Sequence, residues 1–360
     1  LKKPFSLVVA LLVMLVLAGS ALAQDRPRTS LVPALAPHPR AWFTLLTQYP
    51  SDPKPLHAQK VRHHTEKVPH HVQTAPRHIE AAHRPLHAKH GTTLSLYEQS
   101  VQPWILGEQG CEAAHRHESG VVILDFGKPA FEHHGYGTIL FSGRFVPNHR
   151  ITTGMVGWAR GYVRCLPQGS SASVSLARGT SNYHPAVPSV YTAGLRWAGQ
   201  TVKLQRKLQR ESLDLYVTSA AADDAEPAWD RHFRKTREFV HGFRVAAQGH
   251  TLYDYGSLDG GVGSIWSAKQ AFYVAGGTRH TAAIPEIYNT AQAQEWAQLA
   301  GIARSRYHSV VRFAGVMTQG SRHCHCSLRP HAAHRALARA LATYGVQQTP
   351  LPSGGTNIRF

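Results

Sequence analysis

The sequence predicts an α/β fold: a (β/α)8 barrel of the TIM type, irregular in at least one crossover, preceded by a disordered linker. Three observations carry that expectation. Eight apolar, strand-like runs alternate with stretches of helical periodicity between about residues 115 and 345. Several of those runs end in a carboxylate or an amide, and barrel enzymes assemble their sites at the C-terminal ends of strands. The segment before them has too few large apolar residues to offset the entropy of ordering the chain. A doubly wound open sheet is the alternative architecture for the same alternation.

Residues 1–23 read as a secretory signal peptide. Lys2 and Lys3 precede an almost wholly apolar run from Phe5 to Leu17, and Ala21-Leu22-Ala23 forms a small-residue cleavage site that leaves Gln24 as the first mature residue. The apolar run is short for a membrane anchor, so export without a retained membrane segment is expected. Residues 24–110 read as a His- and Pro-rich linker, with histidines recurring from His38 to His90. Residues 111–348 form the predicted barrel domain, and 349–360 a C-terminal tail.

The eight candidate strands are Val121–Asp125, Gly161–Cys165, Ser173–Ala177, Leu213–Ala220, Thr251–Tyr255, Ala271–Ala275, Ala282–Ile287 and Val310–Met317. Apolar residues at helical spacing mark helices over Tyr191–Gln209, Trp229–Phe243, Asn289–Leu299 and His331–Tyr344. The fourth strand is the centre of interest. It runs into Ala220-Ala221-Ala222 and then Asp223, Asp224 and Glu226, and Pro227 should end it. If the strand reaches Glu226, Asp224 and Glu226 share a side, with Cα atoms roughly 6.6 Å apart. Two carboxylates on one wall suit acid/base chemistry at a glycosidic bond.

The formal net charge is +18 with histidine neutral, which favours an anionic partner. For an exported chain that means an acidic cell-wall polymer or polysaccharide, and no nucleic-acid-binding motif is present. A monomer is expected, with no membrane contact after leader removal and with neither cofactor nor metal. The glycines of Tyr255–Gly263 match neither a P-loop nor a dinucleotide fingerprint and read as a loop over the site. Ser181 and Ser257 lack a nucleophile-elbow setting. The run His323-Cys324-His325-Cys326 has no second ligand pair at finger-like spacing. Four cysteines allow three pairings; Cys111 with Cys165 is favoured because it ties an N-terminal segment to an early strand.

Taken in order, LDFGKP, RGYVRC, AAADDAEPAW, YDYGSLDGG, IPEIYN and FAGVMTQ resemble a secreted bacterial glycoside-hydrolase-like barrel domain over about residues 118–345. That family is similar, at a distance, to lysozyme-like and chitinase-like barrels. Aligned on Glu226, the chitinase-type D-x-x-D-x-D-x-E matches at Asp224, while its two earlier aspartates fall on Ala222 and Ser219. The resemblance implies an exported hydrolase of a cell-wall or extracellular polysaccharide, or a binding barrel that has lost turnover. Glu226 is then the general acid, Asp224 stabilises developing positive charge or orients a water, and Glu286 is the second catalytic carboxylate. Asp125, Asp223, Asp254 and Gln319 would bind sugar hydroxyls, with Trp229, Tyr255 and Tyr288 as stacking faces.

Overall fold

A computed structural model describes residues 92–319, 328–347 and 356–359, all within the compact unit Leu46–Phe360. The leader, most of the linker and the His323–Cys326 run lie outside the described residues.

The fold is mixed α/β, with a parallel sheet and seven helices among the described residues. In chain order the elements are β1 (Thr92–Tyr97), α1 (Pro103–His115), β2 (Gly120–Asp125), β3 (Lys128–Glu132), β4 (Gly135–Ile139), β5 (Phe145–Pro147), α2 (Asn148–Cys165), β6 (Val174–Ser181), α3 (Val190–Arg210), β7 (Val217–Asp224), α4 (Arg234–Ala246), β8 (Leu252–Asp254), α5 (Ala268–Ala275), β9 (Thr281–Ala283), α6 (Thr290–Tyr307), β10 (Met317–Gln319), α7 (Pro330–Thr343) and β11 (Thr356–Arg359). Eight strands pair in parallel in the order β10-β11-β1-β2-β6-β7-β8-β9. Strands β3, β4 and β5 make a separate antiparallel sheet inserted after β2. The chain leaving β9 also bonds to the chain entering β10: Ile287 N donates to Met317 O at 2.8 Å, and Met317 N to Pro285 O at 2.9 Å.

Register fixes which side chains share a face. Tyr97 pairs with Asp125, Asp125 with Gly179, Ser181 with Asp224, and Asp223 with Asp254. Because side chains alternate, one face carries Val121, Ile123, Ala177, Ala220, Ala222, Tyr255 and Ile284, which pack together. The other carries Val122, Leu124 and Leu176 against the helices. Asp125 and Asp224 follow the first set, and Asp223 and Asp254 the second.

Several expectations are corrected. Gly161–Cys165 is the last turn of α2, where Ile151, Met155, Trp158, Ala159 and Tyr162 bury one helical stripe. Ala271–Ala275 lies in α5, whose start is fixed by a capping box between Ser267 and Gln270. Thr92–Tyr97 and Pro103–His115 belong to the fold and not to a linker, because Leu94 and Leu106 are buried in its core. The tail beyond residue 349 contributes β11, which pairs with β1 and β10. β7 stops at Asp224, two residues short of Glu226. The Cys111–Cys165 disulfide is present, joining α1 to α2.

Helices α1 and α2 run side by side with their backbones almost touching. An added Cβ at Gly161 would stand 1.8 Å from Gly107 O, and one at Gly157 would stand 2.3 Å from Pro103 O. No helix among the described residues is long and apolar enough to cross a membrane.

Candidate functional site

The carboxylates gather where the parallel strands end. Asp125 closes β2, Asp223 and Asp224 close β7, Asp254 closes β8, and Glu286 follows β9. Glu226 stands two residues beyond β7. All but Glu226 are buried; Glu226 is half-buried and reaches solvent, as do Tyr97, Tyr288 and Asp259 at the same end.

Each carboxyl is positioned by local chemistry. Asp125 Oδ1 accepts from Gly127 N at 2.8 Å, and Gly127 (φ +84°) allows the backbone to pass Ile139 O where a Cβ would come within 2.4 Å. Asp254 repeats the device, accepting from Gly256 N at 3.4 Å. Gly179, beside Asp125, leaves room where a Cβ would lie 2.8 Å from the aspartate's Cα. Glu226 is held from the neighbouring strand's loop: its N donates to Asn182 Oδ1 at 3.1 Å, and Asn182 Nδ2 donates to its carbonyl at 3.0 Å. Its Oε1 accepts from Ser257 Oγ at 3.4 Å. Asp259 clamps the same loop through Ala228 N (2.6 Å) and accepts from Ser257 Oγ (3.0 Å).

Electrostatically these groups form one cluster. Burial, then Glu286, Glu226, Asp125 and Asp223, push Asp224 well above the carboxylate range. Burial, then Asp259 and Glu286, do the same to Glu226 against the opposing Ser257 bond. Burial raises Glu286 to about 7, against a hydrogen bond from Tyr288. Asp125 rises to about 7 and Asp254 to about 8, again through burial, each opposed by its backbone hydrogen bond. Asp223 is raised by burial and by Asp254 beside it. No cation among the described residues is a cause of these shifts. Taking charge into such a site is costly, so several of these acids hold protons near neutral pH. Asp125 Oδ2, Asp223 Oδ2 and Asp224 Oδ1 are buried without a hydrogen-bond partner.

Asp224, Glu226 and Glu286 thus come together, with Asp125 and Asp254 around them. Glu286 does not cap α6; Asn289 does, accepting from Gln292 N at 3.0 Å. Tyr255 is wholly buried, and its hydroxyl bonds Thr180 O at 3.2 Å and Asp125, so it supports an acid and offers no stacking face. Asp223 turns to the helix side of the sheet beside Asp254, away from Asp224, because adjacent strand residues face opposite ways. Trp229 is half-buried, its ring edge-on to Tyr183 at 5.3 Å. Tyr288 is half-buried with its hydroxyl on Glu286. Gln319 ends β10, and its side chain lies outside the described set.

Sequence reasoning missed Tyr97 and Asp259, weighed Ser257 only against a nucleophile elbow, and had Asn182 in the run that follows its third strand without giving it a role. The alternating pattern of TTLSLY, ending in Tyr97, was the available signal for the first. The roles of Asn182 and Asp259 are not legible there, since both act through bonds across strand ends.

No family model matches the chain, and no curated protein sequence matches it. Among solved structures it is similar to one from Labrenzia alexandrii DFL-11 described as a mandelate racemase/muconate lactonizing enzyme, with 12% identity and a TM-score of 0.30. That likeness covers 60% of this chain and 52% of the other, so the chain spans about half the length of that neighbour.

Proposed function

We propose that the parallel sheet closes into a (β/α)8 barrel and that the chain is an exported glycoside hydrolase of a cell-wall or extracellular polysaccharide. Closure is supported by the bonds between the chains leaving β9 and entering β10, including Ala314 N to Ala283 O at 2.8 Å. The observation that carries the function is the meeting of Asp224, Glu226 and Glu286 at one strand end, with Asp224 and Glu286 buried and Glu226 reaching solvent.

Their environments divide the labour. Glu226 is held protonated and faces solvent, so it is the general acid that protonates the leaving glycosidic oxygen. Glu286, pulled back to about 7 by Tyr288, is the first to ionise and serves as base or nucleophile. Asp224 keeps its proton and orients a water or a sugar hydroxyl; a neutral acid stabilises developing positive charge poorly. Activity then rises through about pH 7 as Glu286 ionises and falls when Glu226 loses its proton.

Asp224 and Glu286 are only 5% and 4% exposed, which favours a second reading, a polysaccharide-binding barrel without turnover. The test is incubation of the secreted chain with wall and extracellular glycans beside Glu226→Gln. Cleavage by the parent alone supports the hydrolase. Equal cleavage removes Glu226 from the chemistry, and binding without cleavage by either favours the second reading.

A further inference from the structure

Two open clefts meet beside the inserted antiparallel sheet. One, of about 520 Å³, is walled by Glu132, His133, Gly135, Arg144, Phe145 and Pro147. The other, of about 290 Å³, shares Arg144, Phe145 and Pro147 and adds Gln102 and Pro103 at the start of α1 and Arg150 and Thr153 in the first turns of α2. The shared wall makes them one groove. Its walls come from chain that follows β1 and β2, the strands that end in Tyr97 and Asp125.

The groove is cationic. Arg144 and Arg150 are exposed, and neither side chain makes an ion pair or hydrogen bond among the described residues. Its one acid, Glu132, has His133 Nε2 at 3.9 Å. α1 and α2 both begin without a side-chain cap, so their leading amides add positive character to the same wall. The carboxylate cluster consists of acids, so it offers no partner of opposite sign to the charges of an acidic polymer.

We propose that this groove is the subsite for the anionic groups of the polysaccharide. Arg144 and Arg150 grip carboxylate or phosphate substituents, and the Phe145 ring lies along the sugar backbone. This rests on the polysaccharide reading above and adds where the polymer's charge is held: in a groove whose walls include none of the site's acids. A guanidinium suits either oxyanion, because its donors form a planar fork.

The test compares affinities of the full chain for polygalacturonate, poly(glycerol phosphate), dextran and oligothymidylate. It uses two variants: Arg144→Gln/Arg150→Gln, and Arg206→Gln/Arg210→Gln at the far end of α3. Both change net charge equally at exposed positions. The groove pair should lose about tenfold or more in affinity for one polyanionic polysaccharide while the α3 pair stays near the parent. Whichever polyanion binds identifies the substituent, and dextran should bind weakly throughout. Equal losses in both pairs, or none in the groove pair, overturn the proposal. So does tighter binding of oligothymidylate than of either polysaccharide when that binding fails in the groove pair. Cleavage is read separately on the parent, so a failed hydrolase reading shows as absent cleavage by the parent with the groove result intact.

Discussion

Replacing Glu98 by glutamine should leave stability nearly unchanged at pH 5 and raise it at pH 9. Glu98 is buried just past β1, where its Oε2 accepts from Gln109 Nε2 of α1 at 3.2 Å. Glu98 Oε1 and Gln109 Oε1 are both buried without a partner. A proton on the glutamate supplies the donor that this pair of acceptors lacks. Burial accordingly raises its pKa from 4.5 to about 8, with the Gln109 bond opposing and Asp125 adding to the rise. Below pH 4.5 the group is protonated folded or unfolded, and its contribution is fully present. As pH rises through 8 the unfolded chain has already released the proton, and that stability is lost. The gap of about 3.5 units, at ~1.36 kcal/mol per unit, bounds the loss at about 5 kcal/mol. Relaxation around an ionised carboxylate lowers it, and about 2 kcal/mol or more is expected at pH 9. The substituted amide keeps the acceptor and adds the donor at every pH. Urea unfolding followed by tryptophan fluorescence at pH 5, 7 and 9 measures the difference between the two proteins. A difference equal at pH 5 and pH 9 refutes the reasoning, because ionisation cannot produce it.

Three further outcomes follow from the packing. Gly161→Ala should destabilise by about 2 kcal/mol or more in urea, since overpacking against Gly107 O outweighs the roughly 1 kcal/mol helix-propensity gain; a more stable variant would refute the seam. Asn182→Ala removes both bonds to the Glu226 backbone and one to Thr236 Oγ1, and should cost about 1–3 kcal/mol while lowering any glycan cleavage without changing glycan affinity. Cys111→Ser/Cys165→Ser opens a bridge over a sequence separation of 54 and should lower stability by about 4 kcal/mol. Matching denaturation curves for that variant and the oxidised parent would argue against the bridge as a major contributor.

Elements whose burial pattern is sustained were legible in the sequence. α3, α6 and α7 show long helical periodicity, β2 and β8 are runs closed by a carboxylate, and β6 is an alternating run legible as far as Ala177. Short apolar stretches were not, because Gly161–Cys165 and Ala271–Ala275 fit a buried strand and a buried helix turn equally well. The capping pattern Ser267-x-x-Gln270 could have decided the second. β1 was hidden by its His-rich surroundings, and β11 by its distance from the pattern it completes. The acids that close β2, β7 and β8 could be named from sequence because their strands were found. Their environment could not, because the orphaned oxygens of Asp125 and Asp224 depend on what the neighbouring strands place opposite them.

The contact of bare backbone between α1 and α2 has a further consequence. The helices meet backbone to backbone at Gly157 and Gly161, the side chains of Leu106 and Trp158 are buried beside that contact, and the disulfide nails the pair together. The jaw between their starts therefore has a set width. On the polysaccharide reading proposed above, a sugar unit docking there has to match that width on arrival.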